Sequence, residues 1–372
     1  MRTLSRKAAA WACGVTIAAC GTGAGVYFAV ASGPAPAAAE LHAVVMHAPP
    51  PPLRLVSISP ANGSQGVDGA GEITVTFNEP LPATAPLPEL SPAVAGTWQR
   101  EGDAAVFTPQ TGIPASTTET VMVSAGDGGV RSGKSSFTTA GYSTLRLQEL
   151  LAQLGYLPLS WTPDVGAAIP NGSATAQLAA AYEPPPGTFQ WVQGYPASLH
   201  NFWQQGSANL LDNGAITAFE ADHGMIIDGV ASPKVWAALL SAAETGAGNP
   251  HGYSYAIASQ SEPETLTIWH DGRRVFSSLA NTGISIDPTP VGTFPVYEKL
   301  PFQVMQGTNP DGSHYADPVQ WVSYFEGGSA VHYIARGAYG YPQSLGCVEL
   351  PYTAAEQAYP YLTYGTLVTV TS

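Results

Sequence analysis

The sequence has few charged residues, and the shortage of positive charge is the more informative part. Only 11% of its 372 residues are charged, and 13 Lys and Arg stand against 27 Asp and Glu, which gives a net charge of −14 at pH 7. Phosphate backbones are bound by clustered cations, so we expect no nucleic-acid partner. The chain holds 40 Gly and 33 Pro beside 45% hydrophobic residues. This composition excludes a fully disordered chain and favours loop-rich β structure in a multidomain protein.

The N-terminal segment, residues 1–39, has the features of an export signal. Basic residues at its start precede residues 8–31, which carry no charge, as in the two regions of a signal peptide. The apolar run is also long enough to remain in a membrane as an anchor. We rank an uncleaved form, or one cleaved after Ala39, above lipidation at Cys20. The sequence therefore predicts an exported, extracytoplasmic protein, in the cell wall or membrane-anchored, that meets the membrane only through this segment.

A Pro/Ala linker over residues 40–53 is followed by short β runs over residues 54–140. Ile73, Val75 and Phe77 alternate with polar residues, which places one face of a strand inward. Several short strands separated by Gly, Asn, Asp and Pro turns predict a β-sandwich. The segment resembles bacterial immunoglobulin-like domains, and this resemblance implies a spacer or adhesive module.

Residues 141–246 change to a helical period. Four leucines share the spacing of one helix face: Leu147, Leu150, Leu151 and Leu154. Gly155 ends that helix, Ile216 and Phe219 belong to a second, and a third begins at Ser232 as N-cap with Pro233 next.

The strings LRLQELLAQLGYLP and NGAITAFEADHGMIIDGVASPKVWAALL in this helical segment resemble the small three-helix type of peptidoglycan-binding domain. A Pro/Gly/Ala-rich insertion with Trp191 and Trp203 separates them. The resemblance implies wall binding, and the alternative is a packing module without a ligand.

Residues 247–372 are β-rich again. Two alternating strands surround Asp271-Gly272, a loop favoured in type I′ hairpins. Thr353 to Glu356 form a capping-box pattern that predicts the start of a helix, and TLVTVT predicts a closing strand.

Cys347 is the only cysteine after the N-terminal segment, so no intramolecular disulfide can form in the exported part. A lone thiol there is either a nucleophile or a buried structural residue. His332, the nearest upstream histidine, lies in a strand-like run, and a base near a thiol favours the thiolate. Gly346 allows close backbone approach, so the amides near Gly346 and Cys347 are candidate oxyanion donors. Together these residues suit acyl transfer through a thioester.

Residue order separates the classes of thiol enzyme. No histidine follows Cys347, which excludes the papain-like class, and no arginine follows it, which argues against sortases. SAVHYIARGAYGYPQSLGCVELPYTAAEQAYPYLTYGTLVTV and, upstream, NTGISIDPTPVGTFPVY resemble the L,D-transpeptidase catalytic family of the YkuD type.

That resemblance implies Cys347 as nucleophile, His332 as general base and the main-chain carbonyl of Tyr333 as the group that orients the imidazole. Ser344 and Gly346 stand at their family places. Two positions depart from the family: Leu345 replaces the usual His, and Glu349 stands where Asn or Arg is common. We expect these departures to affect loop electrostatics and stem-peptide preference.

The resemblance also implies peptidoglycan stem peptides as partners, carbapenem-type β-lactams as inhibitors, and no metal or cofactor. Tyr324 and Arg336 lie near the site in sequence and are candidate substrate contacts, although packing or exposure is the commoner explanation for each. His314 and Asp317 read as solvated surface rather than as a metal site.

Three other functions stay open. The protein is an L,D-carboxypeptidase if water is the acceptor, or a wall-binding structural protein if the changes at Leu345 and Glu349 inactivate the domain. An adhesin or scaffold would rest on the β-sandwich alone, and Cys347 argues against it.

Overall fold

The computed structural model of the protein describes residues 53–110, 112–124, 132–170 and 173–372, and residues 51–372 form one compact unit. The predicted export segment and the linker up to residue 52 lie outside the described residues. Within the described ranges, no helix is long and apolar enough to cross a membrane.

Residues 55–138 form seven strands in two sheets. The strands are β1 (Leu55–Ser59), β2 (Ile73–Phe77), β3 (Glu89–Ser91), β4 (Gly96–Glu101), β5 (Ala104–Pro109), β6 (Thr118–Val123) and β7 (Gly133–Thr138). One sheet has the order β1-β2-β5-β4 and the other β3-β6-β7. Ile73, Val75 and Phe77 are buried, as their alternation predicts, and share a core with Val121 and Phe137 of the second sheet.

The helical segment contains more elements than three helices. These are α1 (Thr144–Gln153), β8 (Leu159–Pro163), α2 (Ala174–Tyr182), β9 (Gly187–Trp191), a 3₁₀ helix (Ala197–Phe202), α3 (Leu210–Asp222) and α4 (Pro233–Thr245). The predicted three helices correspond to α1, α3 and α4. The supposed insertion instead folds into α2, a two-stranded sheet and the 3₁₀ helix, so the prediction of a small three-helix module is too simple.

Apolar side chains of this insertion complete the core that the three predicted helices begin. Trp161, Ala181 and Leu199 are buried in one cluster with Leu150 and Phe219. Burial of this kind, rather than helix propensity, supplies most of the stability of short helices. The same cluster includes Tyr255 and Leu367 of the C-terminal part, so the helical segment shares its core with that part.

The C-terminal part consists of ten strands and helices. They are β10 (Ser254–Ser259), β11 (Thr265–His270), β12 (Arg273–Leu279), β13 (Gly292–Pro295), β14 (Glu298–Thr308), β15 (His314–Glu326), β16 (Ser329–Tyr333), β17 (Val348–Leu350), α5 (Tyr352–Ala358) and β18 (Leu367–Thr371). Two sheets result, with orders β12-β11-β10-β18-β13 and β14-β15-β16-β17. Ile268 and Val368 of the first sheet share a core with Val331 of the second and Ala355 of α5.

Two local predictions in this part have different outcomes. Asp271 and Gly272 join β11 to β12 with φ values of 46° and 74°, which is the conformation a type I′ turn requires. The capping box at Thr353 is wrong, because α5 begins one residue earlier. Pro351 is the N-cap and its carbonyl accepts from the amide of Ala355 at 2.8 Å, without a side-chain cap.

The pairing of β16 with β17 decides which side chains meet. The two strands are parallel, with Val331 opposite Val348 and His332 opposite Glu349. Successive side chains on a strand point to opposite faces. Val331 enters the core between the sheets, so His332 lies on the other face, together with Glu349.

Candidate active site

Cys347 and His332 line the same cavity. Its volume is about 230 Å³. Its wall is formed by Ile284, Met305, Asn309, Pro310, Tyr315, Asp317, Val319, His332, Ile334, Arg336, Gln343, Leu345, Cys347 and Glu349. Cys347 directly precedes β17, two residues before Glu349, so the strand's alternation brings the thiol to the face that carries His332. The structure therefore brings the two predicted catalytic side chains together.

The Cys347 thiol is protonated at neutral pH. Burial raises its pKa to about 11, an effect that the amide of Ala330 opposes by hydrogen bonding and that the carboxylates of Glu349 and Asp287 increase. The sulfur lies 3.9 Å from the carbonyl oxygen of Gly328. Because the thiolate is the nucleophile, this thiol needs a base.

His332 has the properties of that base. Its side chain is 2% exposed, and burial lowers the pKa of the imidazole, although the Tyr333 main chain and the Glu349 carboxylate favour the charged form. A neutral imidazole at pH 7 can accept a proton.

No hydrogen bond between described residues orients Nδ1 of this imidazole. Nδ1 of His332 is buried and has no hydrogen-bond partner among the described residues. The main chain of Tyr333 lies near enough to influence the charge of the ring, but outside hydrogen-bond geometry. Orientation by the Tyr333 carbonyl therefore stays a prediction.

Two hydroxyl groups fix the main chain of the nucleophile. Ser344 Oγ donates to the carbonyl of Cys347 at 2.6 Å, and Thr289 Oγ1 donates to the same oxygen at 3.2 Å. Thr289 Oγ1 in turn accepts from the amide of Gly283 at 2.9 Å. The two separated sequence motifs thus meet at one atom, which explains why a Thr-Gly segment and a Thr-Pro segment accompany the cysteine.

Gly346 has the backbone conformation that its loop requires. Its φ is 93°, and a Cβ at this position would lie 3.4 Å from Ser329 Oγ. A left-handed conformation of this kind strains any residue with a side chain. The amides of Leu345 and Gly346 donate to no described acceptor, and their role as oxyanion donors stays a prediction.

Glu349, at the second departure from the family, forms an ion pair with Arg336. Nε of Arg336 donates to Oε2 at 2.8 Å, and Nη2 donates to Oε1 at 2.5 Å. Arg336, which the sequence analysis named as a candidate substrate contact, lines the cavity, and so does Leu345.

Tyr324 and Tyr333 lie outside the cavity lining. Tyr324 is buried in a small cluster with Val319 and Val322, and its hydroxyl donates to Gln303 Oε1 at 2.6 Å. This position gives no support to a substrate contact. Tyr333 packs edge-on against Tyr352, with ring centroids 5.0 Å apart.

Asp317 is a cavity residue that the sequence interpretation placed on the solvated surface. It lines the cavity with Tyr315 and Val319, whereas His314 is exposed. The alternation of Tyr315, Asp317 and Val319 along β15 is the signal that would have found them, since residues two apart share a face.

In the described part of the chain, no group of three or more His, Cys, Asp or Glu side chains could hold a metal ion.

Two parts of the sequence match known families. Residues 253–370 match the family model of the L,D-transpeptidase catalytic domain, and residues 49–139 match that of a bacterial Ig-like domain. The two corresponding resemblances are confirmed. Neither match extends over the helical segment, whose resemblance to peptidoglycan-binding domains stays a prediction.

Several solved structures are similar to the chain. An L,D-transpeptidase from Mycobacterium smegmatis is 18% identical, with 86% of this chain and 100% of that chain covered, at a TM-score of 0.30. L,D-transpeptidase 3 from Mycobacterium tuberculosis, in complex with a faropenem-derived adduct, is 17% identical, with 86% and 98% covered, at 0.30. The catalytic domain of an E. faecium L,D-transpeptidase is 25% identical, with 32% and 96% covered, at 0.30. No curated protein matches the chain.

Proposed function

We propose that the protein is a cysteine L,D-transpeptidase that acts on peptidoglycan tetrapeptide stems and forms 3→3 crosslinks. One observation carries the proposal: Cys347 and His332 line one cavity within the segment that matches the L,D-transpeptidase catalytic domain. The predicted export segment, residues 1–39, is in keeping with an extracytoplasmic enzyme in the cell wall or anchored to the membrane.

The reaction follows from the charge states of the two side chains. Neutral His332 takes the thiol proton as the sulfur of Cys347 attacks the carbonyl carbon between the L-centre of diaminopimelate and the terminal D-alanine. The amides of Leu345 and Gly346 receive the developing oxyanion. The carbon–nitrogen bond breaks, the imidazolium returns its proton to the leaving amine, and a thioester remains. The amine of a second stem then displaces the thiol to form the crosslink.

Water in place of the second stem would give the alternative product. The thioester would be hydrolysed and the protein would act as an L,D-carboxypeptidase. A crosslinking assay with two stem peptides separates the two outcomes, because only the transferase yields a dimer.

The first test is covalent labelling by a carbapenem, which opens its strained ring on an activated thiol. Intact mass of the exported protein should increase by one carbapenem, and Cys347→Ala should show no increase. An unmodified wild type would overturn the proposal and favour a wall-binding structural protein with an inactive domain. Adduct formation on Cys347→Ala would assign the label to another residue.

We also propose that the helical segment binds the wall. The observation that favours it is a cavity of about 590 Å³ at the N-terminal ends of α1, α3 and α4. Tyr142 and Trp236 line it with ring centroids 4.8 Å apart. Asp212 also lines it, and its buried Oδ1 has no hydrogen-bond partner among the described residues. Aromatic rings beside an unpaired carboxyl oxygen suit a ligand with apolar faces and polar groups that form hydrogen bonds.

Pelleting with purified peptidoglycan tests wall binding. The exported protein should pellet, and Ala208→Trp, which fills the cavity from its exposed rim, should shift it to the supernatant. Ala197→Trp, on the exposed side of the 3₁₀ helix and outside the cavity, is the matched control. Wild type that stays in the supernatant would reject wall binding.

A further inference from the structure

The Arg336–Glu349 pair is open on one side. The side chain of Glu349 is 4% exposed, whereas that of Arg336 is 32% exposed. Two parallel hydrogen bonds use Nε and one N–H of Nη2. A guanidinium has five N–H donors in a fixed plane, and Nη1 of Arg336 donates to no described residue. One edge of the guanidinium is therefore held, and the opposite edge is free.

The free edge belongs to the only strong cation of the cavity. Among the residues that line it, Arg336 is the only Lys or Arg, and Asp317 and Glu349 are the carboxylates. A guanidinium edge binds a carboxylate through two parallel hydrogen bonds, a geometry that an ammonium cannot reproduce. An anionic group of a bound peptide consequently has one favourable place in this cavity.

The position of Glu349 would be unfavourable without this arginine. It lies opposite His332 in the strand register and two residues after Cys347, and its charge disfavours the thiolate. Arg336 neutralises that charge at hydrogen-bond distance. A buried carboxylate beside Cys347 is tolerated because it pairs with Arg336. This pairing accounts for Glu at a position where the family commonly has Asn or Arg.

We propose that Glu349 is a positioning residue that holds Arg336, and that the free guanidinium edge binds the terminal carboxylate of the donor peptide, on the residue that leaves. The inference rests on the proposed function, because the donor is the substrate of that reaction. It names a carboxylate subsite and a specificity determinant within the cavity.

The test compares two donors on the wild-type protein. One is a tetrapeptide with a free terminal carboxylate, and the other is the same peptide with a terminal carboxamide. The carboxamide cannot form the charged hydrogen bonds that the carboxylate forms with Arg336. We therefore expect KM for the carboxamide to be about 10- to 100-fold higher. Equal KM values for the two donors would overturn the subsite alone. A wild type that processes neither donor would overturn the proposed function and the subsite with it.

Variants of the pair separate the two residues. Arg336→Gln should raise KM for the carboxylate donor to the value for the carboxamide and leave the carboxamide value unchanged, and Arg336→Lys should recover only part of the difference. Turnover should fall on both donors, because Glu349 is left unpaired beside the thiol, whereas an equal rise in KM on both donors would show a structural role and overturn the inference.

Alkylation of Cys347 by iodoacetamide, a neutral reagent, measures the effect of Glu349 without any wall substrate. Arg336→Gln should slow alkylation at pH 8 about tenfold, and the double variant Arg336→Gln with Glu349→Gln should restore the rate without restoring KM for the carboxylate. An unchanged rate in Arg336→Gln would overturn the neutralising role of the arginine. The charged and titratable groups around the thiol are Asp287, Tyr315, Asp317, Tyr324, His332, Arg336 and Glu349.

Discussion

The molecule contains two arginine–glutamate pairs that differ mainly in where the guanidinium lies. In the helical segment, Arg146 Nη1 donates to Glu149 Oε2 at 2.8 Å, and both side chains are 1% exposed. A second hydrogen bond from Arg146 reaches Gln177 Oε1 at 3.0 Å. In the C-terminal segment, residues 247–372, the carboxylate of Glu349 is similarly enclosed, but Arg336 is open to the cavity.

On the proposal above, this difference separates a structural pair from one that binds substrate. Nη1 and Nη2 of Arg146 donate to Glu149 of α1 and Gln177 of α2, and its buried Nε has no described partner, so this enclosed charge holds two helices together. In contrast, Arg336 uses two of its five N–H donors on Glu349, and the others have no described partner. Burial of the carboxylate alone would not have distinguished the two pairs, whereas exposure of the cation does.

The largest effect is expected from substitution of His332, the proposed base, which lies opposite Glu349 of the Arg336–Glu349 pair. His332→Ala should slow carbapenem acylation of Cys347 by about 100- to 10,000-fold, because the buried thiol then has no group to take its proton. Intact-mass time courses measure the rate. His314→Ala, an exposed histidine on the same sheet, should acylate like wild type. Wild-type kinetics in His332→Ala would contradict its assignment as the base.

Removal of each arginine tests the comparison directly. Arg146→Met leaves Glu149 buried and unpaired, so the free energy of unfolding should fall by about 3–5 kcal/mol. Arg336→Met also leaves Glu349 unpaired, but it opens that carboxylate to water through the cavity, so the loss should be smaller, about 1–2 kcal/mol, while KM changes as proposed above. Urea unfolding measures both. Equal losses of stability would remove the distinction between the two pairs.

The sequence singled out Cys347, His332, Arg336, Leu345 and Glu349, which all line the cavity, but it placed Asp317 wrongly. Cys347 and His332 could be named because their order along the chain and their flanking motifs are local features. Asp317 reaches the cavity through the register of β14 with β15 and of β15 with β16, and register depends on tertiary packing. The pairing of Arg336 with Glu349 depends on a loop whose path the sequence does not specify.

Fold prediction failed where composition concealed an element. The strand alternation at Ile73 and the leucine spacing in α1 were strong signals, and both were confirmed. The run that forms α2 lies between Pro- and Gly-rich stretches, and it was interpreted as part of an insertion. Its helix depends on burial of Leu178 and Ala181, a contact that no local pattern reveals.

A second carboxylate of the helical segment, Asp212, predicts a pH dependence. Burial raises the pKa of Asp212 to about 7, although hydrogen bonds from Gln148 and Asn209 oppose the shift. Between about pH 4 and pH 7 the unfolded chain ionises this group while the folded protein keeps the proton, so stability falls as pH rises.

Asp212→Asn should remove that loss. We expect the variant to gain about 2 kcal/mol relative to wild type at pH 8 and almost nothing at pH 4, measured by urea unfolding at each pH. Asp103→Asn, at an exposed position, should show no such difference. A gain of equal size at both pH values would contradict ionisation as the cause.

The smallest effect is expected from a substitution in the loop before Cys347. It tests whether the left-handed backbone at Gly346 is needed for the reaction. Gly346→Ala introduces a Cβ at a φ of 93°, which should cost about 1 kcal/mol of stability. The same strain shifts the free amides of Leu345 and Gly346, so acylation should slow more than stability suggests. Gly337→Ala is the matched control, because no atom lies within 4 Å of its added Cβ and its φ is not left-handed. A Gly346→Ala protein that loses stability but acylates at the wild-type rate would show that these amides do not serve the reaction, and the cavity's functional polar groups would then reduce to Cys347, His332 and the open arginine.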